Sequence, residues 1–233
     1  TDAGKGGRDN AAEGGWDAAI AEGLIGLKDD KIVGCFADLV KKKDLPKRTE
    51  AVVALAQTSA PIARAALADI ASAEGDIEAR ARAAEAIGGD PKYKDALMSL
   101  LSHEDKGLRS AAAKGLGGHK DRPIIDALIR LATEDKEGEV RAAALVAVKS
   151  SSASKAQDMV CKAMIEDESP LVRSAAVRSF KGTKRESAVA CLRAKAFKEE
   201  TDAGVRDDLL AVLKSSPRDS AAAVLCDAIP FWM

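Results

Sequence analysis

Four cysteines and two histidines are the residues of this 233-residue chain best suited to metal or redox chemistry. A zinc site needs closely spaced pairs such as Cys-x-x-Cys, and no such pair is present. Cys35, Cys161, Cys191 and Cys226 are far apart, each among apolar neighbours, so we expect four buried thiols. The alternative is a disulfide joining Cys191 to Cys161 or to Cys226, which requires Cα atoms within about 7 Å.

The histidines do not form a metal-binding pattern. His103 and His119 both fall in predicted turns, where we expect them to be exposed to solvent. A metal site needs three or four converging ligands, so the sequence predicts neither a metal nor a cofactor. There is also no glycine-rich phosphate loop and no nucleophile motif, which indicates a protein that is not an enzyme.

Charge is concentrated between residues 171 and 198, which carry eight basic side chains and one acidic one. Flexible cations in such a cluster suit an acidic surface on another protein. Nucleic acid is the alternative partner, but the net charge of −1 and the 3% aromatic content disfavour it. The candidate binding residues are Arg178, Lys181, Lys184, Arg185, Arg193 and Lys195.

The C-terminal end is the other candidate binding element. Phe231 and Trp232 follow Pro230, which ends a helix, and large apolar side chains of this kind anchor protein interfaces. They either cap the last structural unit or insert into a neighbouring molecule, and both alternatives stay open. In the second case the chain assembles through its ends.

An arginine that recurs about every 32 residues shows how these side chains are positioned. Apolar residues stand three, four and seven positions after it, which is one stripe on a helix. A second apolar stripe precedes it by about a dozen residues, so each repeat is predicted to be a helix, a turn and a helix. The six arginines are Arg48, Arg80, Arg109, Arg141, Arg173 and Arg206.

An acidic residue stands four positions before five of the six arginines, where it can accept hydrogen bonds from the first turn of the second helix. These acids are Asp44, Asp76, Asp105, Glu137 and Asp202, and Ser169 takes the equivalent position in the remaining repeat.

The stretches 105–113 and 137–144 share an acid, a turn, Val or Leu, Arg and then small residues, and 169–176 repeats this pattern with Ser169 in place of the acid. This pattern resembles the HEAT repeat, more closely its short bacterial form, over about residues 31–233. The resemblance implies a ladder of contacts in which acids and arginines connect successive repeats. In the repeat with Ser169, Asp167 or Glu168 would substitute for the missing acid.

The predicted architecture is an all-α, right-handed α-solenoid of about six HEAT-like helix pairs. Residues 1–15 are predicted to be a glycine-rich linker and residues 16–233 a single solenoid domain, with a short first helix around 16–27. The predicted repeats are 31–58, 61–89, 91–118, 122–150, 154–182 and 186–215, followed by a closing helix at 220–229.

The function predicted from this architecture is a non-catalytic protein-interaction scaffold, or an accessory subunit of a larger assembly. The alternative is a nucleic-acid-binding HEAT-like protein that uses the 171–198 cluster. No stretch of about 18 apolar residues is present, so no membrane span is predicted. Both an exported and a cytoplasmic location stay open, because the opening segment suits a removed export signal as well as a trimmed chain.

Overall fold

The computed structural model describes residues 30–42, 45, 48–58, 60–149, 154–181, 191–192 and 200–215. In these ranges the regular structure is helical throughout, which confirms the predicted all-α class. The helices are α1 (Asp30–Val40), α2 (Arg48–Ala56), α3 (Pro61–Ser72), α4 (Ile77–Ala86), α5 (Lys94–Leu100), α6 (Lys106–Gly115), α7 (Arg122–Glu134), α8 (Gly138–Lys149), α9 (Ser154–Glu166), α10 (Pro170–Ser179) and α11 (Ala203–Lys214). The predicted linker, the predicted helix at 16–27 and the closing helix at 220–229 lie outside the described residues.

The chain divides into an N-terminal body, Thr1–Ala96, and a C-terminal body, Leu97–Met233. In the N-terminal body α1 packs on α3, and α2 packs on α4. In the C-terminal body the arginine-bearing second helices α6, α8, α10 and α11 pack side by side in that order. The first helices α7 and α9 contact each other and cover α8 and α10. Within each body, therefore, first helices contact first helices and second helices contact second helices.

The second helices begin at the positions predicted from the acids that precede the arginines by four residues. Asp76, Asp105 and Asp202 each accept a hydrogen bond from the backbone N–H three residues later, at 3.1, 3.1 and 3.0 Å. A carboxylate at this position satisfies a donor that has no partner inside the helix. Ser169 precedes α10 without such a bond, but Pro170 follows it at the start of the helix, where its missing N–H costs nothing.

Two second helices are followed by glycines with the same backbone conformation. Gly89 and Gly118 have φ angles of 76° and 90°, and each stands nine residues after its repeat's arginine. A side chain would be strained in this left-handed region, so glycine turns the chain away from the helix there.

The seam between second helices is built from small residues. The alanines three positions after the arginine, Ala83, Ala112, Ala144 and Ala176, are fully buried. Small side chains let neighbouring helices approach closely, as the repeat pattern predicts. At the start of α8 the approach is closer still, because a Cβ on Gly138 would lie 2.7 Å from the Ser169 hydroxyl oxygen.

The expectation of four buried thiols is wrong for the described cysteines. Cys161 on α9 forms a disulfide with Cys191, and their Cα atoms are 5.7 Å apart. These two residues lie closer together than the usual spacing of packed helices, which satisfies the disulfide alternative. Cys35 on α1 is a free, exposed thiol. Cys226 lies outside the described residues.

The expectation that both histidines are exposed is also wrong. His119 is buried beside Asp121, with 3.9 Å between Nδ1 and the nearer carboxylate oxygen. His103 is half-buried, and its Nδ1 accepts a hydrogen bond of 3.0 Å from the backbone N–H of Asp105. Both side chains fold back on their own turns.

Candidate binding surface

A ladder of bidentate ion pairs connects successive repeats in the C-terminal body. Arg109 donates to both carboxylate oxygens of Asp135, 26 residues later, at 2.7 and 3.0 Å. Arg141 makes the same pair with Asp167 at 2.9 and 2.8 Å. Arg173 repeats it with Glu200 at 2.7 and 2.8 Å. This fork geometry fixes both partners, so each pair holds one repeat in register with the next.

Each ladder arginine also closes the turn before its own helix. The Nη1 group of Arg141 donates to the carbonyl oxygens of Asp135 and Lys136 at 2.8 and 3.3 Å. Arg109 and Arg173 reach the two corresponding carbonyls of their own turns. One guanidinium therefore satisfies the turn of its own repeat and the acid of the following one.

The ladder acids of the C-terminal body stand six residues before the next arginine, not four. Asp135, Asp167 and Glu200 each also accept the backbone N–H two residues later, at 2.9 Å. Asp105 and Asp202 are helix caps instead. Asp167 was a sequence candidate, whereas Asp135 and Glu200 were missed. Their common spacing from the next arginine is the signal that could have found them.

The remaining ladder candidates show other contacts. Arg48 donates to the Val40 carbonyl at 3.0 Å, and its Nη1 lies 3.9 Å from a carboxylate oxygen of Asp76. Arg80 donates to the Ala71 carbonyl at 3.3 Å. Arg206 donates to the Glu200 carbonyl at 3.2 Å. Glu137 contributes its backbone N–H and carbonyl to the turn before α8. Asp44 lies outside the described residues.

Burial and pairing have opposite effects on the pKa of two ladder acids, Asp135 and Glu200. Burial alone would raise the pKa of Asp135, but the Arg109 guanidinium and the Glu137 N–H lower it overall. The pKa of Glu200 is lowered in the same way by Arg173 and the Asp202 N–H. The hydrogen bond to Asp135 correspondingly raises the pKa of Arg109. Asp135 and Glu200 are therefore ionised at neutral pH and contribute to stability as anions.

Acid should weaken this ladder. Because folding lowers the pKa of Asp135 and Glu200, their stabilisation is complete above the ordinary values of 3.8 and 4.5 and is lost as pH falls through the folded values. Urea unfolding at a series of pH values should show that Asp135→Asn is less stable than the wild type at neutral pH. Its free energy of unfolding should also fall less steeply than that of the wild type as the pH is lowered. The control Asp126→Asn removes an exposed helix-surface carboxylate and should keep the wild-type slope. Equal slopes for both variants would contradict the assignment.

One surface of the second helices is exposed and mostly basic. Residues one, five and eight positions after the ladder arginine share one side of each helix. The exposed members at positions five and eight on α6, α8, α10 and α11 are five cations, Val146 and Ala211, and position one adds the exposed anion Asp207 on α11. We call this surface the basic face, and it consists of Lys114, Val146, Lys149, Arg178, Lys181 and Lys214.

Three lysines on the basic face occupy the same position in consecutive repeats. Lys149, Lys181 and Lys214 stand eight residues after their ladder arginines; Lys149 and Lys214 end α8 and α11, and Lys181 follows the end of α10 by two residues. Because these helices pack side by side, the lysines form a row with a spacing of about 10 Å. Partial burial lowers the pKa of Lys149. The row presents three cations in a line to any molecule that crosses the helices.

The structure describes only some of the candidate binding residues of the 171–198 cluster. Arg178 is exposed, lies 3.7 Å from Asp208 and shares that carboxylate with the Ser174 hydroxyl. Lys181 is exposed at the end of α10. Lys149 and Lys214 were missed, because a count of charge along the chain cannot find residues that meet only across helices. The other candidates, Lys184, Arg185, Arg193, Lys195, Phe231 and Trp232, lie outside the described residues.

Other kinds of site were sought in the same residues. Within the described ranges, no group of three or more His, Cys, Asp or Glu side chains is arranged to hold a metal ion. None of the described helices is long and apolar enough to cross a membrane.

Comparison with known families identifies the fold. A family model described as HEAT repeats matches residues 65–149 and 125–214, together more than half of the chain. The chain is a HEAT-repeat protein. The predicted family and the all-α solenoid class are thus confirmed. A search of curated proteins found no match.

Solved structures of other helical-repeat proteins are similar to this HEAT-repeat chain. The X-ray structure of Escherichia coli YibA matches with a TM-score of 0.55 and 16% identity, covering 96% of this chain and 99% of that one. A designed armadillo repeat protein matches with a TM-score of 0.38 and 16% identity, covering 84% and 98%. The likeness to YibA concerns the fold alone.

Proposed function

We propose that this HEAT-repeat protein is a non-catalytic scaffold that binds an acidic segment of another protein on the basic face. The observation that carries the proposal is the lysine row on α8, α10 and α11. Lysine at a helix C-terminus is favourable by itself, because it meets the negative end of the helix dipole. Three of them in one row on a chain whose net charge is −1 produce a local positive potential that attracts a negative partner.

The composition of the basic face favours protein over nucleic acid. Val146 interrupts the cations at the middle of the face, and none of its members is an aromatic residue on which a base could stack. Nucleic-acid binding depends on many phosphate contacts along a continuous basic stripe. An acidic protein segment needs only a few charge pairs and can also use the apolar position.

The disulfide indicates the kind of cellular compartment in which this protein would bind its partner. A disulfide like Cys161–Cys191 persists in secreted and other oxidising environments and is uncommon in the reducing cytosol. It supports the exported alternative for this protein. We therefore propose that the partner is itself exported or lies on the cell surface.

Reversing two cations of the row should weaken binding through charge. Lys181→Glu with Lys214→Glu is expected to reduce affinity for a labelled polyglutamate peptide about tenfold, because each exposed pair contributes about 0.2–1 kcal/mol and reversal also adds repulsion. Fluorescence anisotropy at low and high salt measures this, and the difference should shrink in high salt. The control is Lys162→Glu, at an exposed lysine on the first helix α9, and it is compared with Lys181→Glu alone so that both variants change the charge equally.

Two results would contradict the proposal. Binding that is equal for the wild type and the double reversal, with unchanged circular dichroism, would show that the basic face does not bind the peptide. A single-stranded oligonucleotide of matched charge that binds more tightly than the peptide would favour the nucleic-acid alternative.

A further inference from the structure

Val146 is the most exposed large apolar residue among those the structure describes, with 53% of its surface accessible. It stands five positions after Arg141 on α8. The equivalent positions on the flanking helices α6 and α10 are Lys114 and Arg178. Lys149 follows Val146 by one helical turn. One apolar side chain therefore lies at the centre of a cationic surface.

We infer that the partner places an apolar side chain on Val146 and a carboxylate about three residues away on each side, in an extended segment that crosses the second helices. The inference rests on the proposed function, since it specifies the partner of the same basic face.

The spacing of the helices carries the inference. Packed helices are about 8–10 Å apart, so the equivalent positions Lys114, Val146 and Arg178 recur at about that distance. An extended chain advances about 3.3 Å per residue, so every third residue meets the next helix. A helical partner advances only about 1.5 Å per residue, so its acids would have to stand about six or seven residues from its apolar residue to reach the flanking cations. An extended segment reaches all three positions with a spacing of three residues, and the peptide with this spacing tests that geometry.

Val146 and the cations make different contributions. The lysine and arginine side chains are long and flexible, so they accept acids over a range of positions and provide attraction more than selectivity. Val146 is short and fixed by its helix, and Ala142, one turn earlier on the same side, is small and nearly buried. An apolar side chain on Val146 can remove its remaining exposed surface from water, which selects among acidic segments.

The test uses synthetic peptides and one matched pair of variants. The first peptide carries a central leucine with glutamates three residues away on both sides. The second replaces the leucine with serine, and the third keeps the composition but groups the glutamates at one end. Val146→Ser is compared with Val53→Ser, because Val53 is an exposed valine at the same position of an earlier repeat, in the N-terminal body.

With the wild-type chain, the leucine peptide is expected to bind about tenfold more tightly than the serine peptide, because the burial of one apolar side chain typically produces a change of this order. The peptide with grouped glutamates should also bind more weakly. Val146→Ser should remove the preference for leucine with little change in salt dependence, whereas Val53→Ser should retain it.

The outcomes separate this inference from the function on which it rests. If all three peptides bind equally and Val146→Ser has no effect while Lys181→Glu with Lys214→Glu still weakens binding, the acidic partner stands and the apolar anchor is wrong. If no acidic peptide binds at any salt concentration, the proposed function itself fails. If grouped glutamates bind as well as spaced ones, the extended geometry is wrong.

Discussion

Arg141→Ala is expected to lower the free energy of unfolding by about 3 kcal/mol, a typical loss when one member of a buried ion pair is removed. The change leaves the Asp167 carboxylate, of which 12% is exposed, without its guanidinium. It also removes the donor for the Asp135 and Lys136 carbonyls. Urea unfolding followed by circular dichroism measures the loss. Arg141→Lys should recover only part of the stability that Arg141→Ala loses, because an ammonium cannot form the two parallel hydrogen bonds.

Arg122→Ala is the matched control for this prediction. Arg122 pairs with Asp126 on the surface of α7, with 85% of the arginine side chain exposed. Exposed pairs of this kind contribute about 0.2–1 kcal/mol, so this loss should be small. Equal losses for the Arg122 and Arg141 variants would show that the ladder has no special structural role. A normal melting temperature for Arg141→Ala, together with lost peptide binding, would instead place Arg141 in the binding site.

Loss of the disulfide is expected to have an effect of similar size. Cys161→Ser with Cys191→Ser should lower the free energy of unfolding by about 3–4 kcal/mol, because the bond closes a loop with a sequence separation of 30. The cross-link limits the conformations of the unfolded chain, and longer loops lose more freedom. Denaturant unfolding of the double variant, and of the wild type in reductant, should give the same reduced stability.

Cys35→Ser provides the control for the cysteine substitutions. Cys35 is exposed and unpaired, so its replacement should change stability by less than about 0.5 kcal/mol. If reductant leaves the wild type unchanged, and alkylation without reductant labels Cys161 and Cys191, the bond does not form in solution. The support that it lends to an oxidising compartment would then also be lost.

The fold was largely predictable because its signals are local. The stripe that includes Ala112 and Leu116 indicates a helix, and the acid before Arg109 marks where that helix begins. Caps such as Asp105 act on backbone groups three residues away, so a short stretch of sequence is enough to predict them. Gly118 ends the same segment for an equally local reason, since its positive φ angle suits glycine.

The candidate surface was predictable only in part. Arg178 and Lys181 stand in a stretch of high local charge, and a count along the chain finds them. Lys149 and Lys214 are distant in sequence and reach the same row only because α8, α10 and α11 pack in order. The repeat period contained this information, since all three lysines follow their arginines by the same number of residues.

The sequence by itself determined that the chain is helical, repetitive and capped at known positions, because periodicity and capping depend on neighbouring residues. The tertiary structure alone decided the pairing across repeats. The resemblance implied that Arg109 pairs with the acid four residues before the next arginine, Glu137, but the packing brings Asp135 to it. Cys191 had two possible partners, and only the approach of α9 to within 5.7 Å between Cα atoms selected Cys161. Sequence spacing does not define distances between helices, because these depend on how the side chains of both partners pack.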